Sequence, residues 1–148
     1  MPAPSTIRTV SEAMTSPAVT ALPSETIEEV AARMTERGKG SAIVVDGERP
    51  IGILTERDLV RFNATGASAA ETKVSEWMTQ PVDTASPDLS VQEAFARFKE
   101  QHYRHLPVVE DGRLVGVVSL RSLTELAQIQ PVVHPSTIEA PPGLEGVI

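Results

Sequence analysis

Val10-Ser11-Glu12-Ala13-Met14-Thr15 is answered 64 positions on, Met14 falling on Met78, by Val74-Ser75-Glu76-Trp77-Met78-Thr79. The same shift carries Pro17, Thr20, Ala21 and Pro23 onto Pro81, Thr84, Ala85 and Pro87 without a gap. Val44-Val45 falls on Val108-Val109, Gly52 on Gly116 and Arg57 on Arg121. A unit of this size buries too small a fraction of its surface to be comfortably stable alone. The period therefore predicts two half-units sharing one core, with a two-fold-related pair of ligand sites at the seam. The functional question becomes where the two copies differ.

Each copy reads in the same order. A short helix or turn over Val10 to Thr15 precedes an extended segment, Ala18 to Ala21. Ile27, Val30, Ala31 and Met34 then recur at i, i+3, i+4, i+7, the apolar face of a helix. Thr26 with Glu29 makes a capping-box start, and Ser90 with Glu93 repeats it. Gly38 is a fitting stop for the first of these helices. Ser41 to Val45 is a β-branched run closed by a turn at Asp46-Gly47. Ile51 to Leu54 is the next strand, and Thr55 opens a short helix to about Phe62.

In the second copy the pattern predicts an extended segment at Val82 to Ala85 and a helix carrying Val91, Ala94, Phe95 and Phe98. Strands at Leu106 to Val109 and Leu114 to Val118 follow, then a helix from Ser119 to about Gln128. Asn63 to Ala70 is a small-residue linker, so the units divide as 1–68 and 69–130. Pro131, Pro135, Pro141 and Pro142 disfavour helix and strand, leaving 131–148 as a Pro/Gly-rich tail. The fold class expected is α+β.

The 148 residues are 41% hydrophobic, enough for a core, but only 3% aromatic, which leaves little for base-stacking platforms. A net charge of −7 and a pI near 4.9 argue against a phosphate-backbone binder, which needs a basic face. A small anionic ligand is still allowed, because a few local arginines suffice. Cysteine is absent, which excludes disulfides, thiolate metal sites and a Cys nucleophile. Met1-Pro2-Ala3-Pro4-Ser5-Thr6 holds no apolar stretch of signal-peptide length, and no run is long enough to span a bilayer. A cytoplasmic protein with no membrane partner is the expectation.

The two Met-Thr leads, the Leu106-Pro107-Val108-Val109 strand and Gly52-Ile53-Leu54-Thr55-Glu56-Arg57-Asp58 together resemble a tandem of CBS domains, named for cystathionine β-synthase. The resemblance covers roughly Thr9 to Ile129. It implies two β-α-β-β-α repeats related by pseudo-two-fold symmetry, which commonly dimerise into a flat disc. It also implies clefts between repeats for an adenosine-containing ligand: AMP, ADP, ATP, NAD(H) or S-adenosylmethionine.

Thr55 and Asp58 sit three residues apart where a strand passes into a helix, which puts both on the first turn. A carboxylate can accept from both vicinal hydroxyls of a ribose with charge-assisted strength. The same spacing is that of a helix cap with the acid shortened to Asp. Both roles can coexist, and the resemblance implies ribose recognition. In the second copy Ser119 keeps the hydroxyl, but Ser122 replaces the carboxylate, a loss on the order of 1–3 kcal/mol. The two clefts should be unequal, with the Asp58 cleft the stronger.

The resemblance further places Arg104 and Arg121 toward the phosphate of that cleft, where a guanidinium fork holds oxygens bidentately. Arg121 has an alternative partner in Glu125 at i+4. Ile53, Val82 and Asp83 take the places of the adenine slot. The mirror residues of the weaker cleft are Ala18, Val19, Gly40, Arg57, Val117 and Ser119, with Gly40 standing where Arg104 stands in the other copy. His102 and His105 lack a third ligand and flank Arg104, which repels a cation, so no metal site is expected. No Ser/His/Asp or Cys/His set and no glycine-rich phosphate loop is present. The expectation is a stand-alone regulatory module rather than an enzyme, homodimeric and read by a regulated protein. The alternatives are a structural dimerisation module with an empty cleft, or a binder of S-adenosylmethionine or NAD(H).

Overall fold

The computed structural model describes residues 8–126, so the tail expected at 131–148 and the helix end expected near Gln128 lie outside the described residues. The first copy contains α1 (Val10–Ala13), β1 (Thr20–Ala21), α2 (Ile27–Arg37), β2 (Ser41–Asp46), β3 (Arg49–Thr55) and α3 (Glu56–Ala64). The second replaces α1 with a 3-10 turn at Val74–Glu76 and continues with α4 (Val91–Gln101), β4 (His105–Glu110), β5 (Arg113–Ser119) and α5 (Leu120–Leu126). The helix starts are those the capping residues dictate. Thr26 Oγ1 accepts from Glu29 N at 3.1 Å and Ser90 Oγ from Glu93 N at 3.1 Å, each cap contributing about 1 kcal/mol. Gly38 ends α2 at φ 62°, and His102 adopts the same left-handed φ of 62° at the end of α4. The second copy thereby sets an imidazole where the first has no side chain.

β2 and β3 pair antiparallel, as do β4 and β5, with the same register shift at Val44/Val45 and at Val108/Val109. β1 adds in parallel to β2, making a three-stranded sheet. The extended segment expected at 82–85 forms no strand and touches β4 only through an Ala85–Val108 bridge. The cause is one missing donor. In the first copy Ile43 N donates to Val19 O at 2.8 Å, whereas the equivalent residue of β4 is Pro107, which has no N–H.

The leads are exchanged between cores. Val10 and Ala13 of α1 are buried with Ala85, Val91, Phe98, Leu106 and Leu123 of the second copy. Val74, Trp77 and Met78 pack with Val30, Met34, Leu54 and Phe62 of the first. Thr15 pairs with Val117 and Thr79 with Ile53, so each lead crosses to the other copy's hairpin. Glycine lets the chains come close at both crossings: a Cβ on Gly52 would lie 2.6 Å from Met78 Sδ, and one on Gly116 2.6 Å from Met14 Sδ, so each methionine would have to shift. Instead of one shared core there are two, joined by a third cluster of Ile43, Val45 and Ile53 against Ala18, Val82, Leu114 and Val117. The hairpin tips are tied as well, Leu114 N donating to Glu48 O at 2.8 Å. Among the described residues no helix is long and apolar enough to cross a membrane.

Candidate functional site

The exchange opens a cleft of about 710 Å³ on the seam. Three pieces line it: the end of β3 with the start of α3, the segment running from Thr79 through Pro81 to Asp83, and the α4–β4 connection from Gln101 to His105. Each lies there for a backbone reason. Thr79 is held by its bridge to Ile53, with N···O distances of 2.8 and 3.1 Å. α3 begins at the cleft because Glu56 N is taken by Gly40 O at 3.0 Å. The related contact, Leu120 N to Arg104 O at 2.9 Å, fixes the connection on the other side.

Thr55 and Asp58 form the capping box that their spacing allows. Asp58 Oδ2 accepts from Thr55 N at 2.9 Å and from Thr55 Oγ1 at 3.0 Å, while Asp58 N leans on Thr55 Oγ1 at 3.4 Å. Asp58 is only 7% exposed yet lines the cleft. Its two oxygens are unequal: Oδ2 is committed to the cap, and no protein donor among the described residues reaches Oδ1. Since no side-chain polar atom of the described residues is both sealed from solvent and unpartnered, Oδ1 remains open to a ligand. The cap therefore aims the acid instead of consuming it.

Ile53, Val82, Asp83 and Arg104 are all brought to this cleft. Ile53 and Val82 belong to the seam cluster and give it an apolar wall. Asp83 accepts a hydrogen bond from Tyr103 Oη, and Tyr103 stands edge-on to Phe98 at 5.8 Å. Burial, reinforced by the Asp83 carboxylate, pushes the Tyr103 phenol up to about 12. His105 is half-buried, and that burial holds its imidazole below the ordinary range, with Arg104 adding to the effect and Glu56 opposing it. Gly40 leaves the space for this pair, because a Cβ there would lie 2.8 Å from Glu56 Oε1 and 3.2 Å from His105 Nε2.

Two arginines fall otherwise than their motif positions suggest. Arg121 is not among the residues lining this cleft; its Nε pairs with Glu125 Oε1 at 3.0 Å and its side chain is 86% exposed. Arg57, expected at the second cleft, lines the first. Of the other residues assigned to the second cleft, Val19 is buried in the first core, and Ala18 and Val117 pack into the seam. Ser119 and Ser122 close on each other: Ser119 N donates to Ser122 Oγ at 3.0 Å, and Ser122 Oγ also meets Ser119 O at 2.9 Å. That serine pair keeps the cap and supplies no carboxylate. Sequence reasoning did not place Glu56, Arg61, Thr79, Tyr103 or His105 at the site. For Arg61 a signal existed, its i+4 spacing from Arg57.

The CBS domain family matches this chain twice, over residues 10–64 and 74–128. The chain belongs to the CBS-domain family. Its fold is a tandem of CBS repeats. An uncharacterized protein of Methanopyrus kandleri is 38% identical over 116 residues, 76% of this chain, and the chain spans 58% of that relative's length. A CBS domain protein of Pyrobaculum aerophilum, solved in complex with AMP, is 30% identical with a TM-score of 0.72, over 82% of this chain and 99% of that one. A CBS domain pair solved with 5-methylthioadenosine and S-adenosyl-L-methionine has 26% identity and a TM-score of 0.73, over 80% of this chain and 94% of that one.

Proposed function

We propose that this CBS pair is a cytoplasmic regulatory module, not an enzyme, that binds an adenine nucleotide in the Asp58 cleft. Its occupancy is passed on to a regulated protein or to its own assembly. The observation that carries the reading is the divided carboxylate. Asp58 Oδ2 is fixed by Thr55, Oδ1 has no protein donor among the described residues, and Arg104 lines the same cleft. Ribose hydroxyls donating to Oδ1 would make charge-assisted hydrogen bonds inside a largely buried site. Arg104 is suited to the phosphate, and Ile53 and Val82 to the face of the adenine, with the backbone at Asp83 at its edge. The AMP complex of the Pyrobaculum relative supports this class of ligand.

S-adenosylmethionine shares the ribose but brings a cationic sulfonium toward arginines, so AMP, ADP and ATP are preferred. A structural module with an empty cleft would need Asp58 for the cap alone, and the cap uses only one of its oxygens. The Ser119–Ser122 cleft is the weaker. We further propose a homodimer of four repeats in a disc, to which Val60, 71% exposed on α3, offers apolar surface.

Calorimetry and thermal shift across AMP, ADP, ATP, NADH and S-adenosylmethionine test the reading. One strong adenine-nucleotide site per chain is expected. No binding by any of the five overturns the nucleotide reading, and two equal sites overturn the asymmetry. Light scattering should show a species twice 15.9 kDa; a monomer at micromolar concentration excludes the disc.

A further inference from the structure

We infer that the Asp58 cleft selects nucleoside di- and triphosphates over monophosphates, through a second phosphate subsite made by Arg57 and Arg61. This rests on the nucleotide reading above and goes beyond it by naming the ligand's charge. Both arginines lie on α3 at i, i+4, hence on one helix face, and both line the cleft. Like charges at that spacing destabilise a helix unless a counter-charge offsets them. Among the described residues neither is in an ion pair. The nearby acids form no ion pair with either: Asp58 caps through Oδ2, Asp83 accepts from Tyr103, and Glu56 packs beside Gly40 and His105.

The second copy supplies the internal control. Positions 57 and 61 repeat as Arg121 and Glu125, and there the two side chains neutralise each other at 3.0 Å. The same fold thus carries a self-paired Arg–Glu on one α-helix and an unpaired Arg–Arg on the other. The doubled cation accompanies Asp58; the neutral pair accompanies Ser122. In a chain of net charge −7, two adjacent unpaired cations on a cleft call for an anionic ligand. Arg104, on the α4–β4 connection, serves the phosphate next to the ribose. Arg57 and Arg61 then serve the phosphates beyond it, each guanidinium holding oxygens bidentately.

The experiment is calorimetry of the full chain with AMP, ADP and ATP in EDTA, repeated on Arg61→Glu. That substitution rebuilds on α3 the Arg–Glu pair that α5 already carries, so the fold should accept it. Arg61→Gln serves as a second variant that removes the charge without reversing it. The parent should bind ATP at least about tenfold more tightly than AMP, and Arg61→Glu should weaken ATP roughly ten- to a hundredfold while AMP changes by less than about threefold. Arg61→Gln should weaken ATP in the same sense by less. Parent affinities for AMP and ATP within about threefold of each other would overturn the inference and leave the nucleotide reading standing. Equal losses for AMP and ATP in both variants would overturn it too, as a general defect of the cleft. Failure of all three nucleotides to bind the parent would remove the nucleotide reading and this inference with it.

Discussion

Asp58→Asn separates the two oxygens of one carboxylate. In the folded chain Oδ2 accepts from Thr55 N at 2.9 Å and Thr55 Oγ1 at 3.0 Å, work that the carbonyl oxygen of an asparagine can take over. The cap should therefore lose at most about 1 kcal/mol, and the apo melting temperature should move little. The other oxygen becomes an amide that donates where Oδ1 accepted. A charge-assisted bond to a ribose hydroxyl is lost, worth roughly 1.5–3 kcal/mol, or about a ten- to hundredfold rise in Kd. Isothermal titration of parent and variant with the best-bound nucleotide gives the second number, and thermal melting without ligand gives the first. The ligand-induced shift should collapse while the apo melt stays near the parent's. A variant that binds as tightly as the parent would refute the ribose clamp and leave Asp58 a helix cap. A variant that loses several kcal/mol of apo stability would show that Oδ1, too, has a structural role.

Arg104→Ala should weaken AMP far more than adenosine, whereas Arg121→Ala, which removes only an exposed pair to Glu125, should leave both within about twofold; equal effects of the two would contradict the placement of Arg104 at the phosphate. Gly52→Ala sets a methyl 2.6 Å from Met78 Sδ and 3.2 Å from Thr79 O, and should cost about 1–3 kcal/mol in a chemical melt; an unchanged midpoint would mean that the crossing is loosely packed. Tyr103 is the only tyrosine, so its absorbance titration is unambiguous, and the midpoint should lie near 12. Because the folded value is raised above the ordinary 10.0, the unfolded chain loses its proton first, and stability should fall as pH rises from about 10 toward 12. Tyr103→Phe should abolish that slope. His105 acts with the opposite sense: its folded value is lowered, so the unfolded chain takes up the proton first and stability should fall as pH drops below about 6.5. His105→Gln should flatten that limb.

Most of the fold is legible in the internal repeat. The caps at Thr26 and Ser90 and the turn at Asp46-Gly47 are local features, so residue type and spacing determine them. The Thr55–Asp58 box and its serine counterpart are local for the same reason. What the sequence did not reveal is non-local. Val10 to Met14 is a short apolar lead that suits either core, and only the close approach of Met14 to Gly116 and Met78 to Gly52 settles which one receives it. Arg57 and Arg121 occupy equivalent places, and the neighbour one turn on decides their fates: Glu125 draws Arg121 into a surface pair, while Arg61 offers Arg57 none. The segment before β4 is extended as expected but stops at one bridge, because Pro107 lacks the N–H that Ile43 uses in the first copy.

A crystal structure of the chain grown with ATP decides whether Asp58 Oδ1 holds the ribose. A ribose hydroxyl should lie about 2.7 Å from Asp58 Oδ1, with Thr55 still capping through Oδ2 and the phosphates turned toward Arg104, Arg57 and Arg61. Nucleotide bound instead beside Ser119 and Ser122, or held in the Asp58 cleft with no ribose contact to that oxygen, would contradict the account.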